Sequence, residues 1–469
     1  MALRVTFYGG AGTVTGSNFL VESGNSKVLV DCGIEQGKDY CESCSYDPFP
    51  YEPGSINALV ITHAHLDHIG RAPRLVKEGY AGPVYMTAPT RDIAEAMLRD
   101  SADILGQNAA ARDLAPLYLQ EHVTKFLSLI KVIEYRTETK LTDDLSLYLR
   151  DTGHILGGAS VRLTDKEGVS LAFTSDIGNS PTPLLPDAET ITDADAVAIE
   201  SVYGDRLNPE KAHRVEKFRD TLKSALARGG PILIPSFSIE RTQLMLYELS
   251  NLMEAGELPQ VPVFLDSPLA IEVTNIYRKH GAKFFKDTAQ EELKREHDLF
   301  NFPFLRMTKS REESMSIAEV KDPKIIIAGA GMSHGGRIGK WEHRYLPDPK
   351  TTLIMVGYQA PGSPGRMLQD GAKKVRIDHR DVTVRGHIET LHGWSGHADR
   401  DGLLKFAEGC LPRTKNFFVT LGEPSSARFL AQRIHDFLGT RAIVPGKGDV
   451  WEVTKEGVKR IESQKGFEA

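Results

Sequence analysis

The sequence predicts an α/β protein in which helices pack on sheets in more than one domain. Short runs of β-branched and apolar residues recur along the chain between Gly, Pro and Asp, a pattern typical of buried strands. Stretches with helical spacing, such as 90–104 and 241–254, fall between these runs. At 469 residues, the chain exceeds the usual size of one domain. We therefore expect two or three domains with separate hydrophobic cores.

The composition excludes several classes of protein. Hydrophobic residues make up 41% and charged residues 26% of the chain, which argues against a disordered or fibrous protein. No apolar run approaches the roughly 18 residues of a membrane span, and the first ten residues lack a signal-peptide pattern. We expect a cytoplasmic protein with no membrane partner. The formal net charge of −6 argues against a broad basic surface, but it still allows a local basic channel for nucleic acid.

The four cysteines are too few for a disulfide framework in a chain of this length, so reduced thiols are expected. Cys41 and Cys44 form a CxxC pair. No second pair of cysteines or histidines follows nearby, so we interpret this segment as a loop rather than a zinc knuckle.

The strongest functional signal is a cluster of four polar residues that follows the predicted strand at 58–62. The segment reads His63-Ala-His65-Leu-Asp67-His68. Where a strand ends and turns into a helix, such side chains can converge on one point, and imidazole and carboxylate groups suit zinc or a similar ion. Structural zinc sites are usually rich in Cys and closed, so these ligand types favour a catalytic ion.

Two later strand ends carry candidates for the same site, His154 and Asp176. Each is ambiguous alone, because a His beside glycines is often structural and an Asp after a strand often caps a helix. Together with the HxHxDH motif, they resemble the metallo-β-lactamase superfamily. The resemblance implies an αββα sandwich and a structural role for Asp31. It also implies one or two metal ions, held by His63, His65, Asp67, His68, His154 and Asp176. We expect zinc, with one ion bound firmly and a second more weakly.

Two further motifs identify a branch of that superfamily. AVAIESVYGDR begins at residue 196, and Gly393-Trp-Ser-Gly-His397-Ala-Asp follows much later. They resemble the β-CASP nucleases, which include the polyadenylation-site endonuclease and RNase J, and segments 234–243, 264–270, 330–337 and 356–359 support this. The resemblance implies an α/β β-CASP domain at 206–380, inserted between parts of the metallo-β-lactamase domain at 1–205 and 381–469.

The resemblance also implies an activity, namely metal-dependent hydrolysis of RNA phosphodiester bonds in RNA processing or decay. A metal-activated water would be the nucleophile, with Asp67 orienting it. His397 would be the general acid, because an imidazole titrates near working pH, and Glu200 would orient it.

Substrate contacts are predicted in the inserted domain. Ser236, Ser267, Ser333 and Arg337 are candidate ligands for phosphate oxygens. A basic run could follow a nucleic-acid strand or form an ordinary solvated face, and it comprises Lys373, Lys374, Arg376, Arg380 and Arg385.

One position departs from the pattern of RNA-cleaving members. Leu421 stands where they carry a His that binds the second metal, and Glu423, two residues further on, is a candidate substitute. DNA-processing members carry an aliphatic residue here, so single-stranded DNA stays open as a partner beside RNA. We favour a ribonuclease, and the alternatives are a DNA nuclease or other metal-dependent hydrolase of this fold, or a non-catalytic nucleic-acid-binding paralogue. A homodimer is also left open.

Overall fold

The structure is a computed structural model that describes residues 2–35, 45–111, 113–357, 359 and 362–462. The CxxC pair of Cys41 and Cys44, together with the polar tail after residue 462, lies outside the described residues. Cys32 and Cys410 are buried free thiols. Among the described helices, none is both long and apolar enough to cross a membrane.

The strands and helices alternate along the chain as the sequence predicts. The strands are β1 (Leu3–Gly9), β2 (Asn18–Ser23), β3 (Ser26–Val30), β4 (Ala58–Val60), β5 (Val84–Met86), β6 (Ile130–Val132), β7 (Thr139–Lys140), β8 (Leu145–Asp151), β9 (Ala159–Asp165), β10 (Ser170–Phe173), β11 (Ala196–Glu200), β12 (Ile232–Pro235), β13 (Val263–Leu265), β14 (Leu305–Met307), β15 (Ile325–Ala328), β16 (Thr352–Val356), β17 (Lys374–Ile377), β18 (Arg380–Thr383), β19 (His387–Leu391), β20 (Asn416–Thr420), β21 (Arg441–Ile443), β22 (Val450–Val453) and β23 (Val458–Glu462).

The α-helices are α1 (Leu66–Ile69), α2 (Ala72–Lys77), α3 (Ala88–Ala111), α4 (Gln120–Ser128), α5 (Arg214–Arg228), α6 (Arg241–Glu254), α7 (Pro268–Phe284), α8 (Asp287–Glu296), α9 (Arg311–Ser316), α10 (Ile338–Tyr345), α11 (Pro364–Gln369), α12 (Arg400–Gly409) and α13 (Pro424–Leu438). Short 3₁₀ turns occur at Pro53–Ser55, Lys211–His213, Ile317–Glu319 and His392–Trp394. The predicted helix at 90–104 lies within α3, and the one at 241–254 coincides with α6.

The chain forms two compact units. Unit 1 comprises residues 2–207 and 397–462 of the described chain, and unit 2 comprises Asn208–Gly396. The predicted domain limits fall at 205 and 380, whereas unit 2 extends to Gly396, because β19 pairs in parallel with β16 inside its sheet. The domain limits themselves stay a prediction.

Unit 1 is an αββα sandwich. One sheet has the strand order β23-β22-β1-β2-β3-β4-β5-β6, and the other has the order β21-β20-β11-β10-β9-β8-β7. Their inner faces share one apolar core, in which Phe19 stacks on Phe173 at 5.2 Å between ring centroids. Helices α12 and α13 cover the outer face of the second sheet, and α3 contacts the first sheet at β6. The predicted sandwich is confirmed.

Unit 2 is built around a parallel sheet of order β14-β13-β15-β12-β16-β19. The hairpin β17–β18 packs Val375 and Val382 onto the apolar core of unit 2. The two ends of unit 2 lie side by side. The backbone N–H of His392 donates to Glu210 at 2.9 Å, and its carbonyl accepts from the amide of Asn208 at 3.2 Å.

Candidate metal centre

The HxHxDH segment lies where a strand of the first sheet ends. His63 lies three residues after the end of β4, and His65 precedes the first residue of α1. Asp67 and His68 lie on α1 itself. The short strand and the one-turn helix therefore place four ligand-type side chains within six residues of chain.

The other candidates come from the second sheet. His154 follows β8, Asp176 follows β10, and Glu200 is the last residue of β11. His397 is bridged to Gly178, and the next backbone N–H donates to the carbonyl of Ile177 at 2.8 Å. Strand ends of both sheets thus meet at one edge of the sandwich, the usual place for sites in layered α/β proteins.

Four side chains direct ligand atoms at one another. His65 Nδ1 lies 3.0 Å from His63 Nε2 and 3.2 Å from His154 Nε2. Asp176 Oδ2 lies 3.4 Å from His63 Nε2 and 3.3 Å from His154 Nε2. These four atoms lie within 4.8 Å of one another, so the set could hold a metal ion.

Hydrogen bonds fix the tautomer of His63. The Thr62 hydroxyl donates to Asp31 at 3.0 Å, and the Ser175 hydroxyl donates to Thr62 Oγ1 at 2.8 Å. Ser175 Oγ then accepts from His63 Nδ1 at 3.2 Å, which leaves the lone pair of Nε2 facing the cluster. This chain of donors explains the structural role expected of Asp31. Sequence reasoning missed Thr62 and Ser175, and their only signal was their position beside a ligand at a strand end.

The charge balance of the cluster suits a cation. Burial lowers the pKa of His65 well below its usual value, and neighbouring His63 and His154 lower it further, so its imidazole is neutral. Burial alone would raise the pKa of Asp176, but His68 and His397 outweigh it and hold that pKa well below its usual range. Neutral nitrogens beside a carboxylate are the donor set that zinc and similar ions prefer.

His68 faces the other oxygen of Asp176. Its Nε2 lies 3.4 Å from Asp176 Oδ1 and finds no hydrogen-bond partner among the described residues, while its Nδ1 lies 2.6 Å from Asp31. Burial would lower the pKa of His68, but Asp176 and Asp31 raise it well above normal, so the two carboxylates favour positive charge here, carried either by the imidazole or by a bound cation. Asp67 lies 4.0 Å from His68 Nε2, and burial raises its pKa. Neither residue joins the four-membered cluster of the described chain.

His397 borders this cluster and pairs with Glu200. Its Nδ1 lies 3.2 Å from Glu200 Oε2, and its ring lies 4.8 Å from that of His154. Glu200 is fully buried and also accepts from the backbone N–H of Ile177. Burial would lower the pKa of His397, but Glu200 and Asp176 outweigh it and raise that pKa to about 9. A protonated, partly exposed imidazole therefore stands beside the cluster.

The serines predicted in unit 2 have internal partners. Ser236 Oγ accepts from Thr242 at 3.0 Å, and Ser267 caps α7 by accepting from the N–H of Ala270 at 3.3 Å. Ser333 is fully buried and donates to Glu342 at 2.5 Å. The predicted phosphate role of Ser333 does not fit this geometry, because its buried hydroxyl already donates its hydrogen bond to Glu342.

Arg337 is held by the fully buried Asp266. Its Nη1 donates to Asp266 at 2.7 Å and to the carbonyl of Thr308 at 3.0 Å, and its Nη2 donates to the carbonyl of Lys309 at 2.6 Å. Substrate binding by Arg337, Ser236 and Ser267 stays a prediction.

Leu421 lies in the apolar core of the sandwich. It is 2% exposed, and it packs closely on Gly10, where an added Cβ would lie 2.7 Å from the leucine side chain. Glu423 is exposed at the start of α13 and belongs to no potential metal cluster of the described residues. The idea that Glu423 replaces a missing ligand is therefore not supported by its position.

Comparison with known proteins identifies the family. Three family models match the chain: the metallo-beta-lactamase superfamily over residues 11–236, the Beta-Casp domain over 242–368, and the Zn-dependent metallo-hydrolase RNA specificity domain over 381–445. Ribonuclease TTHA0252 of Thermus thermophilus is 35% identical over 407 residues, which cover 87% of this chain and 91% of the relative. The chain belongs to the β-CASP branch of the metallo-β-lactamase superfamily.

Other relatives of this β-CASP protein carry a different name. Transcription termination factor FttA of Methanosarcina mazei is 30% identical over 94% of this chain, which spans 70% of that relative. FttA of Methanothermobacter thermautotrophicus is 32% identical over 92% of this chain. A crystal structure of a protein of unknown function from Enterococcus faecalis aligns over 97% of this chain and all of that chain with a TM-score of 0.55 at 12% identity, a likeness of fold alone.

Proposed function

We propose that this β-CASP protein is a zinc-dependent ribonuclease that hydrolyses phosphodiester bonds of RNA in the cytoplasm. The observation that carries the proposal is the convergence of His63, His65, His154 and Asp176 beside the His397–Glu200 pair. The family supports the reaction class, since a matching model is described as a Zn-dependent metallo-hydrolase RNA specificity domain and a 35% identical relative is named a ribonuclease.

The metal would be held by the three imidazoles and by Asp176. An ion bound there supplies a nucleophile at neutral pH and neutralises charge on the phosphoryl group. His63 is prepared for this role by the Ser175–Thr62–Asp31 hydrogen bonds, which keep its Nε2 unprotonated. Asp67 and His68 are the residues available to a second ion, with Asp176 shared between the two groups.

His397 would donate the proton that the departing 3′ oxygen requires. The Glu200 carboxylate favours the protonated form of this imidazole and fixes the orientation of its ring. Glu200 is a positioning residue, because it is fully buried and acts through the imidazole. Asp67 is 24% exposed, so its carboxylate can reach a solvent molecule and orient it toward the phosphate.

RNA is the preferred substrate, and single-stranded DNA is the alternative that the assay must include. We propose to incubate the protein with labelled RNA and DNA oligonucleotides of one sequence, with added zinc and with excess chelator, and to measure its metal content in parallel. Zinc-dependent cleavage of RNA that exceeds cleavage of DNA is expected. Cleavage of DNA alone would reassign the substrate. Metal-bound protein that cleaves neither polymer would overturn the proposed activity.

A further inference from the structure

A cavity of about 530 Å³ opens within unit 2, among residues of α9, α10 and the turn of the β17–β18 hairpin. Its volume is in the range of small-ligand sites. Its lining carries four cationic side chains against one carboxylate, Asp378, and comprises Arg311, Ser314, Met315, Gly336, Arg337, Lys340, His343, Asp378 and Arg380. The cavity is therefore concave and strongly positive.

Two of the four cations, Arg337 and Lys340, are held in place by a buried carboxylate. Asp266, fully buried, accepts from Arg337 at 2.7 Å, from the indole N–H of Trp341 at 2.8 Å, and from Ser314 at 2.6 Å. Lys340 donates to the Ser314 hydroxyl and lies 3.9 Å from Asp266. One carboxylate thus anchors two cations, and it leaves an excess of positive charge whose positions are already ordered.

The other two cations lack internal partners. Arg311 and Arg380 are exposed, and neither side chain forms an ion pair or hydrogen bond with any other described residue. The tight turn at Asp378 and His379, both with positive φ, sets the position of Arg380 at the start of β18. By contrast, Lys374 on the same hairpin already pairs with Asp381 at 2.7 Å.

We propose that this cavity binds a phosphate group of a nucleotide. The planar guanidinium groups of Arg311 and Arg380 match phosphate oxygens, and Lys340 supplies a third charge. Met315, 69% exposed at the same cavity, offers an apolar contact for a sugar or base. The phosphate comes either from an RNA strand or from a free nucleoside monophosphate.

The test compares Arg311→Ala/Arg380→Ala with Lys294→Ala/Arg295→Ala, which removes the same charge from exposed positions of α8. A third variant, Arg311→Lys/Arg380→Lys, keeps the charge. Binding of single-stranded RNA is measured in excess chelator over a range of salt concentrations, and binding of inorganic phosphate and AMP is measured by calorimetry. All substitutions lie on exposed side chains, and thermal melting verifies that each variant is folded.

If the phosphate belongs to RNA, the alanine pair weakens RNA binding and lowers the slope of log K against log salt by about 1.4, as expected for two lost phosphate contacts on a single strand. The lysine pair retains most of the slope, and the control matches the unaltered protein. If the ligand is a free nucleotide, AMP binding is lost in the alanine pair while RNA binding is unchanged. Equal binding of RNA, phosphate and AMP by the alanine pair and the control would overturn the proposal. Because chelator prevents hydrolysis, this outcome is independent of the proposed activity.

Discussion

Strand ends in the two units carry similar polar residues that behave in opposite ways. In unit 1, the side chains after β4, β8 and β10 direct imidazole nitrogens and a carboxylate at one another. In unit 2, Ser267 caps a helix, and Ser333 donates to a buried glutamate. A polar group that donates or accepts an internal hydrogen bond stabilises the fold. Ligand-type atoms that converge on one point form instead an arrangement that could hold a cation.

The largest expected effect comes from removing one member of the unit 1 cluster. His63→Ala deletes a proposed metal ligand, so we expect a loss of RNA cleavage of roughly a thousandfold or more, with the ion lost as well. Cleavage assays and elemental analysis measure both quantities. His435→Ala, an exposed histidine on α13, is the matched control. Wild-type turnover of His63→Ala at equal metal occupancy would contradict the assignment.

The His397–Glu200 pair should respond differently from the four-membered metal cluster. We expect His397→Ala to lower the cleavage rate by roughly a hundred- to ten-thousandfold while the metal stays bound, because it removes the proposed general acid and none of the proposed ligands. A substrate with a better leaving group requires less protonation, so its rate should fall less. Equal losses on both substrates would exclude the acid role.

The two candidate metal positions in unit 1 should also differ in metal affinity. The four-membered cluster offers three imidazoles and a carboxylate, whereas Asp67 and His68 have only a shared Asp176 beside them, and Leu421 lies in the core. Elemental analysis after mild chelation should find nearer one ion than two per chain. Two tightly held ions would show that another residue completes the second site.

In unit 2, a comparable substitution should affect stability and leave catalysis unchanged. Ser333→Ala removes the hydrogen bond to buried Glu342, which we expect to cost about 1–3 kcal/mol of unfolding free energy. Denaturant titration measures the loss, and Ser238→Ala, a half-buried serine of the same unit, serves for comparison. A raised KM for RNA with unchanged stability would instead assign Ser333 to the substrate.

The smallest effect concerns the pH dependence of stability. Burial raises the pKa of Glu342 from its ordinary value near 4.5 to about 7. The folded state therefore holds this proton more tightly than the unfolded chain, and stability falls as pH rises from about 4.5 to 7. Glu342→Gln should flatten this dependence and melt a few degrees higher than the unaltered protein at pH 8. A variant that melts lower at pH 8 and keeps the full pH slope would refute this.

The sequence predicts much of unit 1, because its signals are local. The run from His63 to His68 packs four ligand types into six residues, and β4, β10 and β11 are unmistakable apolar runs. In unit 2, Ser333 resembles a phosphate ligand in sequence, and only the tertiary structure shows that its hydroxyl donates to Glu342. The basic cavity is predicted only in part: Arg337 and Arg380 are candidate contacts for phosphate or nucleic acid, but their partner Arg311 is not, because Arg311 and Arg380 are 69 positions apart and meet through packing. The exposure of Glu423 likewise depends on where α13 begins.

The paired ends of unit 2 affect how the whole chain can fold. Glu200 and His397 are 197 positions apart, a separation that would make their contact entropically costly in a flexible chain. Because Asn208 and Glu210 bond to His392, unit 2 closes on itself and returns the chain almost to where it left. The inserted unit therefore joins the two parts of unit 1 through two chain ends that lie close together, as the ends of a short turn do. Once unit 2 is folded, the chain segments that carry Glu200 and His397 are therefore held closer together than in a flexible chain.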